Sequence, residues 1–215
     1  MKRIVCLVSG RGSNLEAILR TAEADRWATD VPARVVAVLS NRADAAALDI
    51  ARECGVATTV IDHRSFATRE AFDAELAEAV DAHAPDAVVL AGFMRVLGGA
   101  FVARYAGRLI NIHPSLLPVF PGLATHRQAL AAGVRVHGAT VHFVSNEVDG
   151  GAIIAQAVVP VLPGDDEETL AARVLVREHV LLPRCLRWLC ERRVALVGGR
   201  VITRELAPGA LTLLG

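Results

Sequence analysis

Apolar residues follow two rhythms along this chain. Short, mostly apolar runs occur at residues 3–9, 34–40, 57–61, 87–91 and 109–112. Runs of this length, rich in Val, Ile and Leu, predict strands buried on both faces, as in a parallel sheet. Between them apolar residues recur at helical spacing. Leu15, Ile18 and Leu19 follow the first run, residues 45–54 form a helix closed by Gly55, and residues 65–84 carry Phe72, Leu76, Ala79 and Val80 on one face. Thr68 is a candidate cap near the start of that last helix, where Glu70 and Asp73 suit the positive end of the dipole. A short helix is predicted at 101–106 and another from Thr125 to about residue 132.

The rhythm changes after residue 135. Residues 136–144 (VHGATVHFV) alternate, which predicts a strand with one polar face, and residues 153–159 supply its hairpin partner. The acidic run 165–168 opens a long helix toward Arg192, with a capping box from Asp165 to Glu168 and a kink or break at Pro183. Residues 194–197 and 201–203 flank Gly198-Gly199 as a terminal hairpin. The predicted fold class is α/β: a Rossmann-like, mostly parallel twisted sheet flanked by helices, with an antiparallel C-terminal addition. No repeat, low-complexity stretch or linker divides the chain. The expectation is one domain over 1–215, with a phosphate-binding β/α half at 1–108 and a catalytic half at 109–215.

Composition narrows the class. The chain is 53% hydrophobic but only 4% aromatic, so its core is built mainly from Val, Leu, Ile and Ala. Lys+Arg and Asp+Glu are both 23, giving zero net charge and no field to gather a polyanion. That argues against a dedicated nucleic-acid binder, and any anion must be caught locally. Cys6, Cys54, Cys185 and Cys190 lack metal-type spacing and read as free thiols of a reducing compartment. The apolar run after Met1 is too short for a signal peptide or a membrane span. A cytoplasmic protein without a membrane partner is expected.

The candidate chemistry sits where strands end. Gly10-Arg11-Gly12-Ser13-Asn14 joins the first strand to the first helix. Strand, glycine loop and helix together present free N–H groups and a positive dipole end to a phosphate. An ordinary β–α turn would look the same. Ser13 or Asn14 is the candidate N-cap. A third glycine is missing at Leu15, the second strand ends in Ser40-Asn41 without an acid, and no Gly-Lys-Ser/Thr occurs. A sugar phosphate therefore fits better than a dinucleotide or ATP.

Residues 109–122 (LINIHPSLLPVFPG) form a strand that gives out into a loop stiffened by Pro114, Pro118 and Pro121. Asn111 and His113, two apart, point the same way. The pair alone equally describes a strand end with a capping His. A later loop, 145–151, offers Asp149 beside Gly150-Gly151. A carboxylate near His113 would favour the imidazolium, and a cationic His beside an amide stabilises an oxyanion. The carboxylate can also accept a proton from an attacking amine. No metal is expected: the seven histidines include no HxxxH pair, and His137 and His142 lack a matched Cys or acid cluster. Ser115 lacks the glycines of a nucleophile elbow.

Taken together, SGRGSNLEAI, TREAFD, VLAGFMRVL, RLINIHPSLLPVFPGLATHRQAL, HGATVHFVSNEVDGGAII and VREHVLLP resemble the folate-dependent phosphoribosylglycinamide formyltransferases over essentially the whole chain. The resemblance implies transfer of a formyl group from 10-formyltetrahydrofolate to phosphoribosylglycinamide in purine synthesis, with small-molecule substrates and no metal. It implies a catalytic set of Asn111, His113 and Asp149. Gly12, Ser13 and Asn14 would hold the ribose phosphate, and Glu178 the sugar or amide side. Arg69, Met94, Arg95, Val96 and Leu97, together with Ser145, Asn146, Glu147, Val148 and Asp149, would line the folate pocket beside Asn111. Two positions depart from the family pattern: Leu175 where a Lys or Gln is frequent near the substrate, and Ala124 where a His is frequent.

Rival readings are a methionyl-tRNA formyltransferase, a formyltetrahydrofolate deformylase and a non-catalytic nucleotide-binding module. The first two carry an added C-terminal or N-terminal domain. This sequence starts in its first strand and stops at Gly215 with zero net charge, which favours the purine enzyme; a monomer, or a weak homodimer through one exposed helix, is expected.

Overall fold

The computed structural model describes residues 1–207 and 209–214. Its strands are β1 (Lys2–Val8), β2 (Ala33–Ser40), β3 (Ala57–Val60), β4 (Ala87–Leu90), β5 (Leu109–His113), β6 (Val136–Phe143), β7 (Ile153–Pro160), β8 (Val194–Val197), β9 (Arg200–Thr203) and β10 (Thr212–Leu214). Eight of them form a sheet in the order β10-β7-β6-β5-β4-β1-β2-β3. Strands β1 to β5 pair in parallel. Strand β6 is antiparallel to both β5 and β7, while β8 and β9 form a separate hairpin. The mostly parallel sheet with an antiparallel addition is the architecture expected above.

The helices are α1 (Ser13–Ala24), α2 (Trp27–Asp30), α3 (Ala47–Glu53), α4 (Arg69–Asp81), α5 (Gly99–Arg104), α6 (Thr125–Ala131) and α7 (Glu167–Cys190). They cover both faces of the sheet, which explains the mostly apolar runs. On β1, Ile4, Cys6 and Val8 join one core with α1 and α7, while Val5 and Leu7 join the other with α4 and α5. Each such aliphatic side chain buried from water contributes about 1.5–3 kcal/mol before entropy is counted.

Several boundaries differ from the pattern-based expectation. The helix expected at 65–84 is split: a single 3-10 turn, His63–Ser65, is followed by extended Phe66 and Thr68, and α4 starts at Arg69. Thr68 does cap it, accepting from the Ala71 N–H. The capping box of α7 lies one residue later than expected, between Asp166 and Thr169. Asp165 instead pairs with Arg173 and accepts from the Leu162 N–H. Helix α7 continues through Pro183, which is buried; packing of α7 against β6 and β7 holds the helix where propensity would end it. Helix α2 and strand β10 carry too few residues to give a periodic signal.

The chain runs outward from β1 to β3, then returns to the other side of β1 for β4 and β5. Between β1 and β4 the strand order reverses. Loops leaving neighbouring strands there part to opposite faces, and the crevice at the carboxyl ends is where open α/β sheets bind ligands.

Candidate active site

Three loops reach that crevice, after β1, β4 and β5. In the first, Gly12 adopts φ +85°, and a Cβ there would lie 2.7 Å from the Ala47 Cα, so only glycine lets the loop pack on α3. Gly12, not Ser13 or Asn14, is the N-cap of α1. That corrects the expected cap: the two polar residues occupy the first turn, and their side chains are free for other partners. Asn14 Nδ2 donates to Glu178 Oε2 at 2.7 Å, tying α1 to α7. Glu178 is buried, and burial pushes its carboxyl above the ordinary value, opposed by the Asn14 bond and by the charge of His113. The Asn14 Oδ1 is buried without a partner. A bound donor group such as a sugar hydroxyl would satisfy it.

Strand β5 carries Asn111 and His113, which share a face and pair across the ladder with His142 and Thr140 of β6. His142 Nδ1 lies 2.9 Å from the Phe143 carbonyl, so that nitrogen bears the proton and donates. Its Nε2 is then a lone-pair acceptor for Asn111 Nδ2 at 3.2 Å. Burial lowers the His142 proton affinity, more than Asp149 at 3.8 Å raises it, and keeps the ring neutral. The amide of Asn111 is thereby oriented, with its second N–H unused by this contact.

His113 Nδ1 lies 3.3 Å from Asp149 Oδ2, and its Nε2 3.0 Å from the Phe120 carbonyl. Both partners are acceptors, so only the doubly protonated ring donates to both. The ring is largely enclosed, with its side chain 7% exposed. Asp149 Oδ2 also accepts from the Gly122 N–H at 2.8 Å, which fastens the 145–151 loop to the end of the proline loop. Asp149 itself holds φ +53°, a conformation few non-glycine residues adopt. The glycine at Gly151 allows the chain to leave again, since a Cβ there would fall 1.7 Å from the Phe143 carbonyl oxygen.

A polar core supports the proline loop from below. Thr140 Oγ1 donates to the Ser115 carbonyl and accepts from the Leu117 N–H. Gln156 Nε2 donates to the Leu117 carbonyl and to Thr140 Oγ1. Ser115 donates to the Val119 carbonyl, so it is a structural hydroxyl here.

The residues expected along the second ligand divide by environment. Met94 and Val96 are exposed apolar side chains, whereas Leu97 is buried in the core beside Phe93. Arg95 lies over the Phe72 ring. Asp73 accepts from the Gly98 N–H at 2.7 Å and feels the charges of both Arg69 and Arg95. Burial raises its carboxyl above the ordinary value. Ser145, Glu147 and Val148 line an exposed turn, and Asn146 lies against Gly99. The 92–99 and 145–149 loops are thus neighbours on the crevice.

Sequence reasoning missed His142, which it weighed only as a metal ligand. Its alternation with Thr140 was visible, but its pairing with Asn111 depends on strand register. Among the described residues, no three His, Cys, Asp or Glu side chains converge to hold a metal, and no helix is long and apolar enough to cross a membrane. A cleft of about 310 Å³ lies at the other end of the sheet, lined by Lys2, Asp86, Arg108 and Arg204. It is far from this chemistry, and the Lys2–Asp86 ion pair sits within it.

Comparison with known proteins bears on the chain as a whole. Residues 2–186 match the formyl transferase family model. The chain is 51% identical over 193 residues to phosphoribosylglycinamide formyltransferase of Escherichia coli K12, spanning 90% of this chain and 89% of that protein. It is 48% identical over 199 residues to the trifunctional purine biosynthetic protein adenosine-3 of Drosophila pseudoobscura, spanning 91% of this chain but 14% of that longer protein. The crystal structure of glycinamide ribonucleotide transformylase 1 from Symbiobacterium toebii superposes with a TM-score of 0.90 at 47% identity, covering 95% of each chain. Identity at this level over nearly the full length, on a shared fold, means that the chain belongs to the formyl transferase family, among its phosphoribosylglycinamide formyltransferases.

Proposed function

We propose that this enzyme moves the formyl group of 10-formyltetrahydrofolate to the amine of 5'-phosphoribosylglycinamide, with Asn111, His113 and Asp149 at the reacting carbon. The observation that carries the reading is the contact of Asp149 with His113 beside Asn111, at the crevice where three loops meet. The family membership supports formyl transfer, and the polar groups match its demands.

The amine nitrogen attacks the formyl carbon, and the carbonyl oxygen takes up negative charge. The unused N–H of Asn111 and the imidazolium of His113 stabilise that oxyanion. Both ring N–H groups of His113 already have partners, so the oxygen must share one. The Nδ1 contact, at 3.3 Å the longer of the two, is the one to share. Asp149, in contact with His113 Nδ1, relays the proton lost by the amine to N10 of the folate as the C–N10 bond breaks. Gly12, Ser13 and Asn14 hold the phosphoribose, and Glu178 its sugar side. Arg69, Met94 to Leu97 and Ser145 to Asp149 hold the folate, with Leu97 acting through its backbone because its side chain is buried. Leu175, one turn before Glu178 on α7, brings no polar contact to the substrate. The reading places the enzyme in the cytoplasm, as a monomer or weak homodimer.

Mass spectrometry of the acceptor after incubation with both substrates tests this. Formylated phosphoribosylglycinamide, formed in step with tetrahydrofolate, is expected. Formate as the product instead, or formyl-methionyl-tRNA in a competition between acceptors, would assign the chain to one of the rival reactions.

A further inference from the structure

The first and second ligand loops are joined by a buried hydrogen-bond bridge. Ser9, at the end of β1, immediately precedes the glycine loop. Its hydroxyl accepts from the Met94 N–H at 2.8 Å and donates to Asn41 Oδ1 at 2.6 Å. Ser9 and Asn41 are both buried. Asn41 follows β2, and its Nδ2 lies 3.1 Å from His63 Nδ1 in the 3-10 turn. The contacts therefore span the ends of β1, β2 and β4.

Each link has a local cause. Strand pairing between β1 and β4 stops at Leu7 and Leu90. Gly92 then adopts φ +76°, and the chain folds back so that the Met94 N–H meets Ser9. The next residue, Gly10, is held by the Ala47 N–H from α3. A serine hydroxyl is both donor and acceptor, and this one uses both capacities inside the protein. Elsewhere on the donor loop the Gly98 N–H donates to Asp73 at the far end, and Arg95 lies over the Phe72 ring.

We infer that Ser9 is a positioning residue that couples the formyl-donor pocket to the acceptor's phosphate loop. The inference rests on the proposed assignment of residues 12–14 to the acceptor and 94–97 to the donor. Acceptor phosphate on the glycine loop fixes the Ser9 backbone; Ser9 then holds Met94, and the donor meets a loop already ordered. The same coupling must act in reverse, since linkage between two ligands is reciprocal. Ser9 touches neither ligand, so its loss falls on donor affinity and on synergy more than on the chemical step.

The test compares wild type with Ser9→Ala, Ser9→Thr and Asn41→Ala, each checked by thermal melting. Donor KM, kcat and the Kd of a non-transferring folate analogue, with and without phosphoribosylglycinamide, are measured. Wild type binds the analogue more tightly with the acceptor present. Ser9→Ala raises donor KM by about five- to tenfold, the effect of one hydrogen bond, leaves kcat within about threefold, and abolishes the synergy. Asn41→Ala acts in the same direction, and the double variant adds little. Ser9→Thr, which keeps the hydroxyl, restores synergy. Equal synergy in wild type and Ser9→Ala overturns the inference, as does a loss confined to kcat or one that tracks only the melting temperature. Val96→Asp reports separately on the donor assignment. If it leaves donor KM unchanged, that assignment fails; if it raises KM while Ser9→Ala does not, only the coupling fails.

Discussion

Asn111 and His142 stand opposite each other on the β5–β6 ladder, and the neutral ring of one orients the amide of the other at 3.2 Å. The Phe143 carbonyl fixes the tautomer of His142, so three residues in series determine where the Asn111 N–H points. An oxyanion donor, the role proposed for Asn111, is effective to the extent that it is aimed before charge develops, and this arrangement aims the amide without any ligand contact.

His142→Phe keeps a flat ring, somewhat larger than imidazole, and removes the acceptor. Turnover is expected to fall about tenfold through misorientation of one donor, with acceptor KM nearly unchanged. The same ring sets an acid limit. Its proton affinity is lowered in the fold, so the unfolded chain takes the proton first as pH falls. Stability from this site is complete above the ordinary value of 6.5 and is lost as pH drops from there through the folded value. Thermal melts across that window should show a shallower acid loss in His142→Phe than in wild type.

Glu178 has the opposite sign. Burial raises its carboxyl above the ordinary 4.5, so the native protein holds the proton more tightly than the unfolded chain. Stability from this group is greatest below 4.5 and is lost as pH rises through the folded value. Glu178→Gln removes that loss. The variant should melt higher than wild type at neutral pH, while phosphoribosylglycinamide KM rises because the Asn14 and substrate contacts change. A lower melting temperature with unchanged KM would contradict the assignment.

Much of this fold could be read from short apolar runs, because strands covered on both faces need no polar partner positions. Asn111 and His113 were legible for a related reason: alternation is local, and a spacing of two determines a shared side. The contacts that complete the site are not local. His142 reaches Asn111 through β6 register, Asp149 reaches His113 through a left-handed turn, and Phe120 contributes only its carbonyl. Composition says nothing about these. Pro183 shows the converse, since local propensity predicts a break that packing of α7 overrides. Assignment of Asp149 to the site depended on family resemblance as much as on its glycine neighbours.

Gly151 should be intolerant of any side chain. A Cβ placed 1.7 Å from the Phe143 carbonyl oxygen forces the chain apart between β6 and β7 and carries Asp149 off His113. Gly151→Ala should cost about 3 kcal/mol or more in urea unfolding and lose most turnover even where folded. Wild-type stability would show that the 145–151 loop has room to move.

The central claim is that an aimed amide and a charged imidazole share the developing oxyanion. Single-turnover formyl transfer by Asn111→Ala, with both substrates saturating and donor-analogue affinity measured alongside, tests it most directly. The expected result is a rate about 10²–10³-fold below wild type with analogue binding retained, the usual consequence of removing one oxyanion donor. A rate within a few-fold of wild type would contradict it.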